Sequence, residues 1–206
     1  MKPIVKICGI TRVQDAIVSV MLGADLIGLN LFPKSPRSLT LSKAREIADA
    51  VRGRVQIVGV FVNVPTPQVM AAIDLLGLDL AQLHGDEWPE EVQALGRKAI
   101  KVFRSLPVTE THLSRFPNVW GYLVDTPNPK LFGGTGVVWD WSSLRAVRSP
   151  RPILVAGGIG PDNARRALAE SGATGLDVNS GVESAPGIKS AAKLQRLFEE
   201  IKDVEV

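Results

Sequence analysis

The only cysteine in this chain, Cys8, stands at the end of an apolar segment in the stretch VKICGITR. Residues 4–7 are mostly β-branched and predict a strand, which delivers the thiol to a loop at Gly9. An ionised thiol at such a position can take up a proton as a general base. The alternative is a small buried residue that fills a gap in the core, as most free cysteines do.

Two other titratable side chains close apolar segments. Asp125 follows mainly apolar residues in GYLVDT, and an acid at the end of a buried strand needs a partner or has to stay neutral. His84 lies in QLHGDE, where the charge of a histidine is easily set by its neighbours. A lone histidine near a strand end is more often a hydrogen-bonded structural residue, so both interpretations of His84 stay open.

Two glycine-rich stretches in the C-terminal part of the chain have the pattern of a phosphate site. VAGGIGPDNARRAL runs from an apolar segment through Gly157 and Gly158 into a helix, and LDVNSGVESAPG places Ser180 and Gly181 after the next segment. Glycines let backbone N–H groups approach an anion closely, and a helix N-terminus adds partial positive charge. One such pair could be a plain turn, whereas two in succession favour a phosphate cradle.

A third glycine cluster lies in FGGTGVVWDW, within an unusually long connection from residue 126 to about residue 136. Long connections without secondary structure of their own are commonly lids or binding loops. We therefore expect residues 126–136 to cover a bound ligand.

These candidate residues need a scaffold, and the hydrophobic pattern predicts eight strands separated by segments with helical periodicity. The strands are residues 4–7, 26–31, 56–62, 80–83, 99–103, 119–124, 152–155 and 174–178. Helix candidates begin at Thr11, at Thr40 or Ser42, and at Thr66 before Pro67, and the later ones cover 88–95, 110–115, 142–147, 161–171 and 189–201.

This alternation predicts a single-domain (β/α)8 TIM barrel over residues 1–206. Continuous apolar strands indicate a parallel sheet covered on both faces, and eight βα units in about 200 to 250 residues suit a closed barrel. A doubly wound open sheet is the competing fold. In a barrel the functional groups lie at or just after the carboxyl ends of the strands, which is where Cys8, Arg37, His84, Asp125 and Asp177 fall.

The composition restricts the partners of this chain. Its formal charge is only +3 and aromatic residues make up 5%, so a small anion is a more plausible partner than nucleic acid. No apolar run approaches the roughly 20 residues needed to cross a bilayer, and the first apolar stretch is too short for a signal peptide. A single cysteine forms no internal disulfide, which suits a reducing compartment, and we expect a cytoplasmic protein.

Seven motifs along nearly the whole chain together resemble the phosphoribosylanthranilate isomerase family of tryptophan biosynthesis, in that family's order: VKICGIT, FPKSPR, VGVFVN, QLHGDE, GGTG, LVAGGIGPDN and DVNSGVESAPGIK. The resemblance implies a (β/α)8 barrel that converts N-(5-phosphoribosyl)anthranilate into 1-(2-carboxyphenylamino)-1-deoxyribulose 5-phosphate by an Amadori rearrangement. It implies a small phosphorylated substrate, no cofactor and no metal, no nucleic-acid or membrane partner, and a monomer or homodimer.

The resemblance also implies roles for single residues. Cys8 matches the general base, Asp125 the general acid and Arg37 the group that holds the anthranilate carboxylate, with His84 and Asp177 as further substrate contacts. Ring opening needs an acid at the furanose oxygen, and enolamine formation needs a base at the adjacent carbon. A planar guanidinium suits a carboxylate better than a lysine does. We expect an electropositive pocket to lower the pKa of Cys8, and burial to favour the protonated form of Asp125.

Asn30 and Asn179 stand where apolar or serine residues are also familiar in the family, so their contacts with the sugar stay open. Two alternative functions stay open as well. The sister isomerase of histidine biosynthesis, or a bifunctional relative, performs the same kind of rearrangement but resembles this chain less, because it uses an aspartate where Cys8 stands. A catalytically silent barrel that senses a sugar phosphate would need the glycine loops without both Cys8 and Asp125.

Overall fold

Eight parallel strands close into a barrel in the computed structural model, which describes residues 1–126 and 139–206. Each strand pairs with the next one along the chain, and the eighth pairs with the first. The strands are β1 (Ile4–Ile7), β2 (Leu26–Asn30), β3 (Gln56–Phe61), β4 (Leu80–Leu83), β5 (Ala99–Phe103), β6 (Gly121–Val124), β7 (Ile153–Val155) and β8 (Gly175–Val178). The predicted barrel is confirmed, and the doubly wound sheet is excluded because the barrel sheet has no edge strands.

Seven α-helices surround the barrel within the described residues, namely α1 (Val13–Leu22), α2 (Leu41–Val51), α3 (Thr66–Leu76), α4 (Pro89–Leu95), α5 (Glu110–Ser114), α6 (Ala164–Ser171) and α7 (Ala191–Ile201). None of these helices is long and apolar enough to cross a membrane. After β6 the predicted helix over 142–147 is wrong, since a single 3-10 turn covers Trp141–Leu144. Local hydrogen bonds from Ser142 and Ser143 to Asp140 favour that short turn.

One of the predicted threonine caps is confirmed and two are wrong. The side chain of Thr40 accepts a hydrogen bond from the backbone N–H of Lys43, 3.2 Å away, and so caps α2. Thr11 does not cap α1, because its hydroxyl donates to the carbonyl of Gly187. Thr66 is the first residue of α3, as predicted, but its hydroxyl does not cap that helix and donates instead to the carbonyl of Glu91 at 3.3 Å. The Thr11 hydroxyl therefore bonds a distant loop, and the Thr66 hydroxyl joins α3 to α4.

A short antiparallel hairpin follows β8 and was not predicted from the sequence. It consists of β9 (Glu183–Ala185) and β10 (Ile188–Lys189), and it replaces the first residues of the predicted helix over 189–201. The helix itself begins at Ala191, after Ser190 has capped it. The hairpin therefore brings Glu183 and Lys189 back over the end of the barrel.

The side chains inside the barrel divide into an apolar part and a polar part. One cluster of apolar residues fills much of the interior: Leu26, Val58, Leu80, Ile100, Val102, Leu123, Leu154 and Ala156. Successive residues of a strand point to opposite faces, so the inward positions further along β1 are Lys6 and Cys8. The corresponding positions on β4 are Gln82 and His84. The polar part of the interior thus lies at the carboxyl ends of the strands.

The opposite, N-terminal edge of the barrel is fixed by a repeated hydrogen bond. In three βα units, the residue just before an even-numbered strand accepts a hydrogen bond through its side chain. The donor is a backbone N–H near the start of the preceding odd-numbered strand. The three bonds are Val5 N–H to Asp25 (2.8 Å), Ile57 N–H to Asp79 (2.7 Å) and Ile153 N–H to Thr174 (2.9 Å). These bonds satisfy N–H groups at the strand ends and lie away from the polar interior.

Candidate active site

Cys8 lies inside the carboxyl end of the barrel, above Lys6. Its thiol is 5% exposed, and its backbone N–H donates to the carbonyl of Val178 at 2.9 Å. The adjacent strand carries Gly28, where a Cβ atom would lie only 2.8 Å from the Cys8 Sγ and 3.0 Å from the Lys6 Nζ. A larger residue on β2 would therefore displace both side chains.

Lys6 is fully buried and forms an ion pair with Asp177 across the β1–β8 junction. Its Nζ atom lies 2.7 Å from Oδ1 of Asp177. Burial alone would lower the pKa of Lys6, but the negative charge of Asp177 and the hydrogen-bonding thiol of Cys8 raise it above 10.5. Lys6 therefore stays charged beneath the thiol. Its only signal in the sequence is a charged residue in the middle of an apolar strand, a signal that the sequence prediction did not use.

The predicted lowering of the Cys8 pKa is wrong. Burial of the thiol raises its pKa above the ordinary value of 9.0, and this effect outweighs the opposing charges of Lys6 and Lys189. The nearby carboxylate of Asp177 raises it further. Cys8 is therefore a buried thiol that is mainly protonated at neutral pH, with two ammonium groups close enough to stabilise its ionised form.

Asp125 and His84 approach each other at the ends of β6 and β4. The Asp125 Oδ2 atom lies 3.5 Å from Nε2 of His84, and Oδ1 accepts the backbone N–H of Thr126 at 2.7 Å. On the other side of the imidazole ring, the side-chain Nε2 of Gln82 lies 3.0 Å from Nδ1 of His84. The structure thus joins three buried polar side chains in a row and brings the predicted acid to its end.

Arg37 is held by a carboxylate of the chain itself. Its Nε and Nη2 atoms donate to the two oxygens of Glu183 at 2.8 and 2.6 Å, and Lys189 Nζ lies 2.9 Å from the same carboxylate. Burial would raise the pKa of Glu183, but Arg37 and Lys189 lower it below 4.5. The Nη1 atom of Arg37 makes no hydrogen bond to residues 1–126 or 139–206, so that side of the guanidinium can still face a substrate carboxylate.

The two asparagines hold loops in place. The side chain of Asn30 donates to Ser35 at 3.1 Å and accepts the backbone N–H of Phe32 at 2.9 Å, so it shapes the loop that carries Arg37. The Oδ1 atom of Asn179 accepts a hydrogen bond from Lys189 Nζ at 2.9 Å. Neither asparagine was assigned a role from the sequence. Asn30 bonds within the loop of Arg37, and Asn179 bonds Lys189, which shares the Glu183 carboxylate with Arg37.

The glycine loops after β7 and β8 lie against each other. Gly157 and Gly158 have φ values of 90° and 64°, in the left-handed region that favours glycine. A Cβ atom at Gly181 would collide with the backbone of Ile159, so the two loops are in close contact. Within the described parts of the chain, the backbone N–H groups of Gly157, Gly158, Ser180 and Gly181 donate to no acceptor. They are therefore free to donate to an anion.

Asn163 organises the first of these loops. Its Oδ1 atom accepts the N–H of Gly160 at 2.8 Å, and its Nδ2 atom donates to the carbonyl of Gly158 at 2.9 Å. These bonds explain why α6 begins at Ala164 rather than at the predicted residue 161, because residues 161–163 belong to the loop. Asn163 was not selected from the sequence, although PDN at a helix start is a recognisable signal.

Most of the predicted lid, including its FGGTG motif, lies outside the described residues. The described connection resumes at Trp139, whose Nε1 atom donates to the carbonyl of Ala156 at 2.8 Å. This contact places the Trp139 indole beside Gly157. The covering role of residues 126–136 therefore stays a prediction.

The side-chain charges at the polar end of the barrel are balanced. Three cations and three carboxylates face the upper part of the barrel: Lys6, Arg37, Lys189, Asp125, Asp177 and Glu183. The glycine loops add backbone donors on the β7–β8 side. Over residues 1–126 and 139–206, no three His, Cys, Asp or Glu side chains are grouped as a metal site would require. The arrangement combines a thiol, a carboxyl group, the backbone N–H groups of the glycine loops and the Nη1 side of the Arg37 guanidinium.

Sequence comparisons with known proteins all indicate one family. The model of the family described as N-(5'phosphoribosyl)anthranilate (PRA) isomerase matches residues 5–200. The N-(5'-phosphoribosyl)anthranilate isomerases of Geotalea uraniireducens and Rubrobacter xylanophilus are 40% and 41% identical to this chain, and each alignment covers 96% of this chain and 98% of the relative.

Comparisons with solved structures indicate the same family. Phosphoribosyl anthranilate isomerase from Thermus thermophilus superposes with a TM-score of 0.87 at 37% identity, over 98% of each chain. The enzyme of Thermotoga maritima superposes with a TM-score of 0.84 at 30% identity, over 99% of this chain and 100% of the other. A further structure of a phosphoribosyl anthranilate isomerase, in complex with reduced 1-(o-carboxyphenylamino)-1-deoxyribulose 5-phosphate, has a TM-score of 0.81 at 30% identity, with the same coverage.

Proposed function

This chain belongs to the N-(5'-phosphoribosyl)anthranilate isomerase family of tryptophan biosynthesis, and on that premise we propose that Cys8 and Asp125 carry out its proton transfers. Cys8 is the general base and Asp125 the general acid. The observation that carries the assignment is their placement directly after β1 and β6, where both side chains lie at the polar end of the barrel. A substrate held between them meets a base on one side and an acid on the other.

The reaction begins when Asp125 gives a proton to the furanose ring oxygen. The bond between that oxygen and C1 breaks, and the nitrogen lone pair forms an iminium ion. Cys8, ionised by loss of its own proton to water, then removes the proton from C2, and the electrons of that C–H bond form the C1–C2 double bond of an enolamine, while the iminium nitrogen regains its lone pair. The enolamine tautomerises to the 1-amino-1-deoxyketose. One proton acceptor and one proton donor are sufficient for this sequence.

The raised pKa of Cys8 is compatible with this role because the base is needed only after the ring has opened. The iminium ion places a positive charge next to the thiol, and a nearby positive charge favours the ionised form. Lys6 and Lys189 act in the same direction. A thiol that ionises in the presence of the cationic intermediate is protected from side reactions in the resting enzyme.

The two ends of the substrate are assigned to the two anion-binding regions. The backbone N–H groups of Gly157, Gly158, Ser180 and Gly181 bind the phosphate, in the position after strands seven and eight where barrels commonly hold one. The Nη1 side of Arg37 binds the anthranilate carboxylate. His84 and Asp177 contact the sugar between these regions, and Asp177 does so while paired with Lys6.

We also propose that residues 1–206 act as one catalytic domain in the cytoplasm. The pairing of β1 with β8 makes the barrel depend on both ends of the chain, and the N-terminal ammonium of Met1 donates to the carbonyl of Val206 at 3.1 Å. The buried free thiol at Cys8 suits a reducing compartment.

Substitution of the two reacting groups tests the proposed function. We expect Cys8→Ser and Asp125→Asn each to lower kcat about 10²-fold or more with a nearly unchanged KM, because both groups act mainly as the barrier is crossed. Asp74→Asn, on the exposed face of α3, is the matched control and keeps full activity. A kcat near that of the parent enzyme in either active-site variant would contradict the role proposed for that residue.

A further inference from the structure

The least explained part of the site is the pair of side chains behind Asp125. Gln82 and His84 occupy successive inward positions of β4, and Gln82 is 1% exposed. The amide Nε2 of Gln82 lies 3.0 Å from the ring Nδ1 of His84. Gln82 belongs to no predicted or proposed contact with the substrate, yet it is an amide buried inside the barrel.

Two buried polar atoms of this pair have no hydrogen-bond partner among the described residues. They are Oε1 of Gln82 and Nε2 of His84, and the latter faces Oδ2 of Asp125 at 3.5 Å. Buried polar atoms are nearly always satisfied, because leaving one without a partner costs free energy. An apolar side chain at position 82 would avoid that cost, so the amide is expected to serve another purpose.

The contact between the amide nitrogen of Gln82 and Nδ1 bears on which ring nitrogen of His84 carries the proton. A neutral imidazole has one donor and one acceptor nitrogen. Where Nδ1 accepts the amide N–H, Nε2 has to be the donor. The reverse orientation would put the acceptor lone pair of Nε2 against the carboxylate oxygen of Asp125, an arrangement that is repulsive when Asp125 is ionised.

We propose that Gln82 is a positioning residue that holds His84 in the tautomer with the proton on Nε2, so that this N–H is directed at the carboxylate of Asp125. The proposal rests on the proposed role of Asp125 as general acid. When Asp125 gives up its proton, each of its oxygens then has a donor. Thr126 N–H supplies one, and the His84 N–H supplies the other.

This arrangement favours the step of the reaction in which charge develops on Asp125. A donor fixed before the reaction stabilises the developing carboxylate more than it stabilises the neutral acid. Loss of the donor therefore lowers kcat more than it raises KM. The effect of Gln82 on the reaction passes through His84, because Gln82 itself does not touch Asp125 in this geometry.

Nitrogen NMR of the resting enzyme tests the tautomer directly. The chain has two histidines, so a long-range proton–nitrogen spectrum of histidine-labelled protein contains two ring systems, and His112→Gln removes the one on α5. We expect His84 to show a protonated Nε2 and an unprotonated Nδ1 near neutral pH. A protonated Nδ1 with an unprotonated Nε2 would overturn the proposal.

Two substitutions of Gln82 separate positioning from simple packing. In Gln82→Glu the ionised carboxylate can only accept, so the proton should move to Nδ1, and in Gln82→Leu the preference for either nitrogen should weaken. The exposed control Gln68→Glu on α3 leaves the His84 spectrum unchanged. An unchanged His84 tautomer in both Gln82 variants would show that the amide does not select the tautomer. The two variants differ in charge, so if one of them fails to fold, the other still provides the test.

Kinetics complete the experiment. We expect both Gln82 variants to lower kcat roughly 10- to 100-fold with little change in KM, as substitution of a residue that orients a histidine typically does. Combining Gln82→Leu with Asp125→Asn should add no further loss, because the amide acts through Asp125. A full additional loss in that background would place the action of Gln82 elsewhere. If Asp125→Asn alone kept its activity, the proposed acid would be wrong while the tautomer result would still stand.

Discussion

Nζ of Lys6 lies 2.7 Å from Oδ1 of Asp177, and these two residues are also paired in the register of β1 with β8. The ion pair therefore joins the first and last strands of the barrel on its inner side. It also holds a positive charge directly beneath the Cys8 thiol, where Lys6 opposes the effect of burial on the pKa of that thiol.

Substitution of Lys6 tests the electrostatic role of that pair. In Lys6→Met/Asp177→Asn, which leaves no unpaired buried charge, the pKa of Cys8 should rise further, because Lys6 lowers that pKa more than Asp177 raises it. The pH at which iodoacetamide alkylates Cys8 should move upwards relative to the parent enzyme. Cys8 is the only thiol, so alkylation stoichiometry reports on it alone. Lys34→Met, on the exposed Arg37 loop, is the control, and an unchanged alkylation profile in the double variant would contradict the role of Lys6.

Removal of Arg37 should weaken binding of the substrate through its carboxylate. A lost charge-assisted hydrogen bond costs about 1.5 to 3 kcal/mol, which corresponds to an increase in KM of roughly 10- to 150-fold if the contact is the same throughout the reaction. Steady-state kinetics of Arg37→Ala and of Arg37→Lys measure this, since a lysine restores the charge without the planar fork. An unchanged KM in Arg37→Ala would place the carboxylate elsewhere.

The glycine loop after β7 should lose its affinity for phosphate when Asn163 is replaced. Asn163→Ala removes two hydrogen bonds that shape the loop, and at about 1 kcal/mol each we expect the inhibition constant of inorganic phosphate to rise roughly tenfold or more. Asp162→Ala is the control, because Asp162 is exposed and pairs only with Arg196 on α7 among the described residues. Equal inhibition constants of phosphate in the two variants would show that Asn163 does not contribute to phosphate binding.

The Arg37–Glu183–Lys189 cluster should make stability depend on acid pH. The pKa of Glu183 is lower in the folded protein than its ordinary value of 4.5, so its contribution is fully present above 4.5 and is lost as the pH falls through the folded-state pKa. In urea unfolding at several pH values, Glu183→Gln should show a smaller decline of the free energy of unfolding below pH 4.5 than the parent. Parallel declines would show that Glu183 is not the group responsible.

The side-chain bonds at the N-terminal edge should matter for stability and not for turnover. Asp79→Ala leaves the buried N–H of Ile57 without its partner, which costs about 1 to 3 kcal/mol in the free energy of unfolding. The kcat should stay at the parental value because the bond lies at the end of the barrel opposite Cys8. A large loss of kcat in folded Asp79→Ala would contradict this separation of roles.

The barrel could be predicted from the sequence because each strand is marked by neighbouring residues alone. Each strand is a short run of apolar residues, and every predicted strand was found with its ends shifted by at most two residues. Helix starts were harder, since a threonine hydroxyl can cap its own helix or bond another loop. Thr40 does the first, and Thr11 does the second by reaching Gly187.

The site was predicted only in part, because several of its contacts join residues that are distant in sequence. Cys8 and Asp125 could be selected from their position after apolar strands. Lys6 was not selected, since the partner that explains its burial stands 171 residues away. The pKa of Cys8 was predicted in the wrong direction because the depth of its burial depends on the whole barrel, and a single strand does not reveal it.

The ion pair between Lys6 and Asp177 also bears on the order in which the protein is made. The ribosome releases Lys6 171 residues before Asp177, so throughout most of synthesis the growing chain carries an inward-facing ammonium group without its carboxylate. Burial of an unpaired charge is costly, which disfavours a compact but incomplete barrel. The strand that closes the barrel is the same strand that neutralises this charge. Closure of the barrel and completion of the thiol's surroundings therefore depend on the same pair of strands.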